Sequence, residues 1–408
     1  MRRAAALLVA AALAASAQAP AAAQEVDGVR FRVGDGVRVT AGALRARVRT
    51  RFHIDRVSES LGDVYGPGVE PGAAPFEEGI GLRRARWLAD ARFADGSALA
   101  WLSGRTQVDF GSSRIRWLDL YGDARLGTAF APDIDTRLRF GQFRETFGLE
   151  AMTSVTYLPF IERSAATNAF TPGRNRGVQW SARGPRFGLA AGLFAASEGR
   201  PFPDELGTER AATLHGFVEF DGALVDQFGV GLSLRDPGDD GARFRARPGT
   251  RLLERVVDTG ALEADGATVV SLEALRVRGG TMLLAEAFGA STRGATEARF
   301  HGGHVALSHF LHAGSVDHGD DDGGLGAPNV PDAWSTRENG NGAVELALRA
   351  GWVDLEDGPV DGGRVVDVEA GFNWYLQPGT RFMLHGLFVR GAGGATGEAI
   401  LARLQLQL

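Results

Sequence analysis

Read with a period of two, the side-chain period of a β-strand, this chain repeatedly separates into an apolar and a polar face. Over residues 44–52, Leu44, Ala46, Val48, Thr50 and Phe52 alternate with Arg45, Arg47, Arg49 and Arg51. Over 366–376, Val366, Val368, Ala370, Phe372, Trp374 and Leu376 oppose Asp367, Glu369, Gly371, Asn373 and Tyr375. The C-terminal residues repeat the pattern, with Ile400, Ala402, Leu404, Leu406 and Leu408 against Arg403, Gln405 and Gln407, so a strand is expected to run to Leu408. Residues 183–186 (Arg-Gly-Pro-Arg) and 377–380 (Gln-Pro-Gly-Thr) predict tight hairpin turns, because Pro fixes φ and Gly accepts positive φ. Residues 65–78, 236–240 and 317–337 are rich in glycine, proline and acid and predict longer loops. The GAGGATG run at 391–397 reads as a further turn.

Two architectures use such strands. In a soluble β-sandwich the polar faces meet water outside; in a membrane barrel the apolar faces meet lipid and the polar faces a water-filled lumen. The N-terminus favours the barrel. Met1-Arg2-Arg3, an apolar run over 4–17 and the small-residue site Ala21-x-Ala23 predict a secretory signal peptide over 1–23, followed by a barrel domain over 24–408. No later run is long and apolar enough for a membrane-spanning helix. The expected fold is therefore an all-β transmembrane antiparallel barrel of about 16 strands in the bacterial outer membrane.

Composition narrows the chemistry. With no cysteine there is no thiolate nucleophile, disulfide or cysteine metal site, and 57 glycines suit turns and close contacts rather than long helices. The net charge of −6, which becomes −8 once Arg2 and Arg3 are removed, excludes the basic balance of a nucleic-acid binder. No lysine occurs, so all 44 basic residues are arginines; they alternate within strands, while acids crowd the loops. There is no G-x-S-x-G elbow, H-E-x-x-H or P-loop, so no enzyme is expected, a rim Ser-His pair as in a membrane lipase being the alternative. His301, His304, His309, His312 and His318 beside Asp320, Asp321 and Asp322 raise a surface metal site, but His304 and His309 fall on opposite strand faces. The acids also lack calcium-loop spacing, so a solvated acidic outer loop is expected, with no metal and no cofactor.

Several ordered motifs carry a family resemblance. GQFRETFGLEAMTSVTYLPFIERS over 141–164, followed by FTPGRNRGV up to Val178, resembles the phosphate-selective porin O and P family around its inward-folded third loop. Residues 243–288 look like that family's middle strands, and VELALRAGWVDLED with GFNWYL (371–376) like its closing strands. The resemblance implies a sixteen-stranded homotrimeric porin in outer-membrane lipid. Its partners would be small inorganic anions, phosphate or polyphosphate first, guided by an arginine ladder to a constriction at the third loop. A general, weakly selective porin is the alternative.

The ladder would comprise Arg45, Arg47, Arg49, Arg51, Arg84, Arg86, Arg137 and Arg139, all on polar strand faces. Asp90, Asp119, Glu145 and Glu286 are the candidate balancing charges. Where the family usually shows a lysine and prolines before the Phe-Gly pair, this chain has Arg144-Glu145-Thr146 before Phe147-Gly148. Arg144, Arg163, Arg174 and Arg176 would then supply the constriction's charge, although arginine and lysine differ in reach and geometry.

Overall fold

A computed structural model describes residues 24–26, 28–32, 35–60, 64, 79–111, 114–127, 132–195, 209–221, 225–312, 314–316, 323–331, 333–334 and 340–408. Predicted residues 1–23, 65–78 and 317–322 lie outside them. The chain opens with three short strands, β1 (Gln24–Val26), β2 (Val29–Arg32) and β3 (Gly36–Ala41). The wall continues through β4 (Leu44–Ser60), β5 (Ile80–Phe93), β6 (Leu102–Asp109), β7 (Arg116–Gly127), β8 (Asp135–Arg144) and β9 (Arg174–Arg183). Then follow β10 (Phe187–Ala195), β11 (Arg210–Glu219) and β12 (Gln227–Asp236). After the small ribbon β13 (Arg245–Ala246) and β14 (Val257–Asp258), the wall resumes with β15 (Gly266–Arg278), β16 (Thr281–Arg293) and β17 (Arg299–His312). It ends with β18 (Ala343–Asp357), β19 (Val360–Gln377), β20 (Thr380–Gly391) and β21 (Thr396–Gln407).

Each wall strand pairs antiparallel with its neighbour, and β21 returns to β4, with Arg403 opposite Asp55 and Leu406 opposite Phe52. The strands β4–β12 and β15–β21 thus form a closed sixteen-stranded barrel, which leaves no wall edge unpaired. The closing strand β4 is long enough to serve two partners, β3 along Leu44–Val48 and β21 from Arg51 onward. Backbone hydrogen bonds of 2.7 and 2.9 Å between Thr50 and Leu408 join the two pairings.

The alternation read from the sequence holds, and its direction decides between the two architectures. Val366, Val368, Leu193 and Ile400 face outward, Ile400 at 60% exposure and Leu193 at 69%. Asp367, Glu369 and Asn373 face inward and are fully buried. A soluble sandwich would need the reverse arrangement, whereas this wall is apolar outside and polar inside, as lipid requires. The tight turns at 183–186 and 377–380 form as expected, and Gly379 adopts φ 84°. The 391–397 run turns β20 into β21.

Three connections fold inward. Residues 145–173, between β8 and β9, are the predicted third loop. Residues 237–265 form a second inward loop, which corrects the reading of 243–288 as wall strands: only 266–278 and 281–293 belong to the wall. Its β13–β14 ribbon presents Phe244, Ala246, Val256 and Val257 to the inner wall, and their burial against Phe170, Phe288 and Phe300 outweighs the strand-like pattern of the segment.

The third is the connection between β17 and β18, where a solvated outer loop over 317–337 is expected and where only 314–316, 323–331, 333–334 and 340–342 are described. It leaves the barrel at the end that holds Leu408, and its described residues Val316, Leu325 and Val330 are buried beneath Leu149, Leu158 and Phe160 of the third loop. The Leu325 N–H reaches Thr153 Oγ1 at 2.9 Å, and Gln227 donates to the Gly323 carbonyl at 2.8 Å. The interior beside β15–β21 is therefore filled by two apolar clusters among the described residues, and the main cavities lie along β4–β8.

Candidate functional site

The third loop is positioned by two short helices and an irregular run of turns and bends between them. Gly148, at φ 77°, lets the chain turn into Leu149–Met152, and the Ser164 hydroxyl caps Ala165–Phe170 by accepting the Thr167 N–H at 3.0 Å. Between the helices the backbone runs along the inner wall, where strand arginines hold its carbonyls. Arg349 donates to the Glu162 carbonyl at 3.0 Å, Arg381 to Val155 at 3.4 Å, and Arg403 to Ile161. Asn373 adds a bond to the Pro159 carbonyl at 2.8 Å.

Two loop carboxylates complete the anchor. Glu162 faces Arg83 at 3.0 Å, Arg84 at 2.6 Å and Arg403 at 2.8 Å, while Arg403 also grips Asp55 at 2.6 and 2.7 Å. Glu150 accepts from Arg349 at 2.9 Å, and Arg349 also reaches Glu369 at 2.6 Å. Burial disfavours the charged form of Glu162, but Arg83, Arg84 and Arg403 outweigh it and hold the carboxyl well below the usual range. Burial likewise opposes ionisation of Glu150, and the His304 ring, Arg349 and the Thr167 hydroxyl overcome it, leaving the group at about 2.

Beside the packed half lie two adjacent cavities. One, of about 650 Å³, is bounded by β4–β8, the third loop and the 237–265 loop. The other, of about 800 Å³, lies at the end that holds β2, β3 and Leu408. They share Arg49, Arg105, Tyr121, Arg139 and Tyr157, so the two cavities meet at the third-loop Tyr157 and the wall arginines. Fifteen arginines line the first cavity against the carboxylates of Asp119, Glu145 and Glu162. In the second, ten arginines meet Asp90, Asp95 and Asp123.

The sequence-derived residues distribute unevenly over this channel. Arg45, Arg47 and Arg137 line the terminal cavity, Arg51, Arg84, Arg86, Arg144, Arg163 and Arg174 the inner one, and Arg49 and Arg139 both. Arg49 pairs with Asp90, Arg86 with Asp109 at 2.9 Å, Arg174 with Asp119 at 2.7 Å, and Arg139 with Asp123 at 2.8 Å while stacking over Tyr121. Arg51 donates to Gln407 at 2.7 Å and to Ser154 at 3.3 Å, and Arg144 to the Pro172 carbonyl.

Only Arg163 of the four constriction arginines lies in the third loop. It donates to the carbonyls of Glu150, Ala151 and Thr153 at 3.0, 2.9 and 2.6 Å and so closes the loop on itself. Arg176, expected at the constriction, instead lies in an outer groove with Leu120, Phe140, Val178 and Leu193. Of the expected balancing charges, Asp90, Asp119 and Glu145 reach the channel, whereas Glu286 lies behind the third loop against the Glu150 N–H at 3.1 Å.

Several lining residues escape simple alternation. Arg83 would face lipid in a regular strand, but the bulge opposite His53 and Ile54 skips it and turns it onto Glu162. Arg105 and Arg116 lie on strands whose polar faces are weaker signals, and Arg245, Arg247, Arg251 and Arg255 enter on the 237–265 loop. Burial together with Arg255 and Arg251 lowers Arg247 to about 10, which keeps it charged at neutral pH.

Comparison with known proteins agrees with this architecture. The family model for phosphate-selective porin O and P matches residues 102–407. An uncharacterized protein of Caulobacter vibrioides is 25% identical over 382 residues, covering 81% of this chain and 75% of its own length. In-vitro folded OmpT of Vibrio cholerae superposes with a TM-score of 0.57 at 12% identity, over 90% of this chain and 99% of its own. Its trimer form gives 0.55 at 11% identity, over 89% and 99%. The anion-selective porin from Comamonas acidovorans gives 0.51 at 10% identity, over 90% and 100%. At such identities the structures establish the fold, a porin barrel of the outer membrane. On the match over residues 102–407, this chain belongs to the phosphate-selective porin O and P family, and it is an outer-membrane porin.

Proposed function

We propose that this porin passes small anions, with phosphate and short polyphosphate the leading solutes, along the arginine side of its lumen. The observation that carries the reading is the inner cavity's lining of fifteen arginines against three carboxylates. A guanidinium stays charged at every physiological pH and offers a planar fork of donors matched to phosphate oxygens. A narrow passage between low-dielectric walls strengthens that field and raises the local anion concentration. An anion would exchange part of its hydration for guanidinium donors, pass Arg49, Arg105 and Tyr157, and leave past Arg45 and Arg47. Release stays possible because many moderate sites replace one tight one.

A weakly selective general porin is the second reading, favoured by the pairing of Arg49, Arg86, Arg139 and Arg174 with aspartates. The proposal includes export by a signal peptide over 1–23 and assembly as a homotrimer, the form described for OmpT. The deciding experiment is the reversal potential of the purified porin in a planar bilayer under a KCl gradient, with and without added phosphate. Chloride-favouring current that phosphate blocks is the expected result. Unselective current without block would leave the general porin.

A further inference from the structure

We propose that Glu150, Glu286 and His304 form a buried site for a divalent cation of the zinc class, which pins the third loop to the barrel wall. The three side chains come from separate elements, the loop, β16 and β17, and each is at most 3% exposed. His304 Nε2 lies 3.7 Å from Glu150 Oε2 and 3.5 Å from Glu286 Oε2. Both separations exceed good hydrogen-bond length, and His304 Nε2 and Glu286 Oε1 have no hydrogen-bond partner. A tetrahedral zinc with bonds of about 2.0–2.2 Å separates its ligand atoms by about 3.3–3.6 Å, close to these distances.

The surroundings fit a cation as well. Ser164 Oγ lies 3.0 Å from His304 Nδ1, an outer partner that directs Nε2 into the cluster, and the Thr167 hydroxyl orients Glu150 Oε2 from 2.6 Å. Five buried carboxylates, Glu150, Glu273, Glu286, Asp367 and Glu369, face one guanidinium, Arg349, and three imidazoles, His215, His304 and His385. Both Asp367 oxygens lack hydrogen bonds. Two positive charges placed among them would offset the cost of burying that excess. Because Glu150 belongs to the loop and the other two ligands to the wall, occupancy would couple folding to metal and fix the loop that borders the channel.

The test is refolding of the untagged full chain into detergent in chelator-treated buffer, with or without zinc chloride, followed by gel filtration and metal analysis. The expected result is one zinc per chain and a heat-modified gel transition roughly 10 °C higher with zinc, in line with stabilisation by a tightly bound ligand. His304→Gln and Glu286→Gln should each lose the zinc and the shift while still migrating as folded barrels. Folded wild-type protein without zinc, or a folded variant that retains it, overturns the proposal. If neither variant folds, the wild-type metal ratio decides alone. The reversal potential is independent of this outcome, so failure here leaves the anion reading standing.

Discussion

The lumen wall along β4–β8 and the wall along β15–β21 are built from the same alternating strands, yet one borders open channel and the other is packed shut. Arginine is the residue that shows the difference. In the open half the side chains of Arg105 and Arg116 keep 40% and 36% of their surface exposed beside the buried Arg49, Arg51, Arg83 and Arg84, whereas Arg349, Arg381 and Arg403 in the closed half keep at most 1%. A solvated guanidinium costs little and projects its charge into the passage. A buried one must be paired, and here its partners are loop carbonyls and carboxylates, which makes it an anchor for the third loop.

Breaking an anchor should have the largest effect. Arg403→Met leaves Asp55 and Glu162 without their shared partner, and removing one member of such a buried set costs about 3–5 kcal/mol. The folded gel band of Arg403→Met should therefore convert at clearly lower temperature or urea than wild type; an unchanged transition would mean that Arg403 is not an anchor. Acid probes the same contacts. Glu150 is depressed from 4.5 to about 2, so its contribution is fully present above its ordinary value and is lost as pH falls through the folded one. Single-channel recordings should stay quiet down to about pH 4.5 and become noisy toward pH 2 as the loop loosens.

The open half should respond in function rather than in stability. Replacing Arg247 and Arg251 with Glu should move the reversal potential toward cations, with about a tenfold change in permeability ratio, and leave the folded band in place. No movement would mean that the path avoids the 237–265 loop. The smallest effect is expected at Arg38, an exposed partner of Asp35: Arg38→Ala should change stability by less than about 0.5 kcal/mol in a urea titration.

How much of this was legible varies residue by residue. The faces of β4, β19 and β21 could be read directly, because a strand's side-chain direction depends only on odd or even position. Arg45, Arg47, Arg49 and Arg51 were placed on the lumen side for that reason. Arg83 could not be, because one bulge shifts the parity of everything beyond it. Arg176 differs for another reason: the β8–β9 pairing is regular and Arg176 shares the outward face of Val178, while Arg174, at the strand's first residue, turns in to Asp119. His304 and His309 lie on different faces, as their even and odd positions require, yet no local signal brings Glu150 and Glu286 to His304.

By itself the sequence determined the wall: strand alternation, tight turns at 183–186 and 377–380, and a supply of arginines on inward positions. Those properties are local, set by backbone parity and turn chemistry. The tertiary structure decided which half of the lumen stays open. Residues 237–265 and the β17–β18 connection resemble strand or solvated loop in isolation, and 237–265 together with the described Val316, Leu325 and Val330 turn inward because distant elements offer them apolar surface to bury. That choice depends on closure of the whole barrel, which brings Phe170 to Phe288 and Glu162 to Arg84 and Arg403.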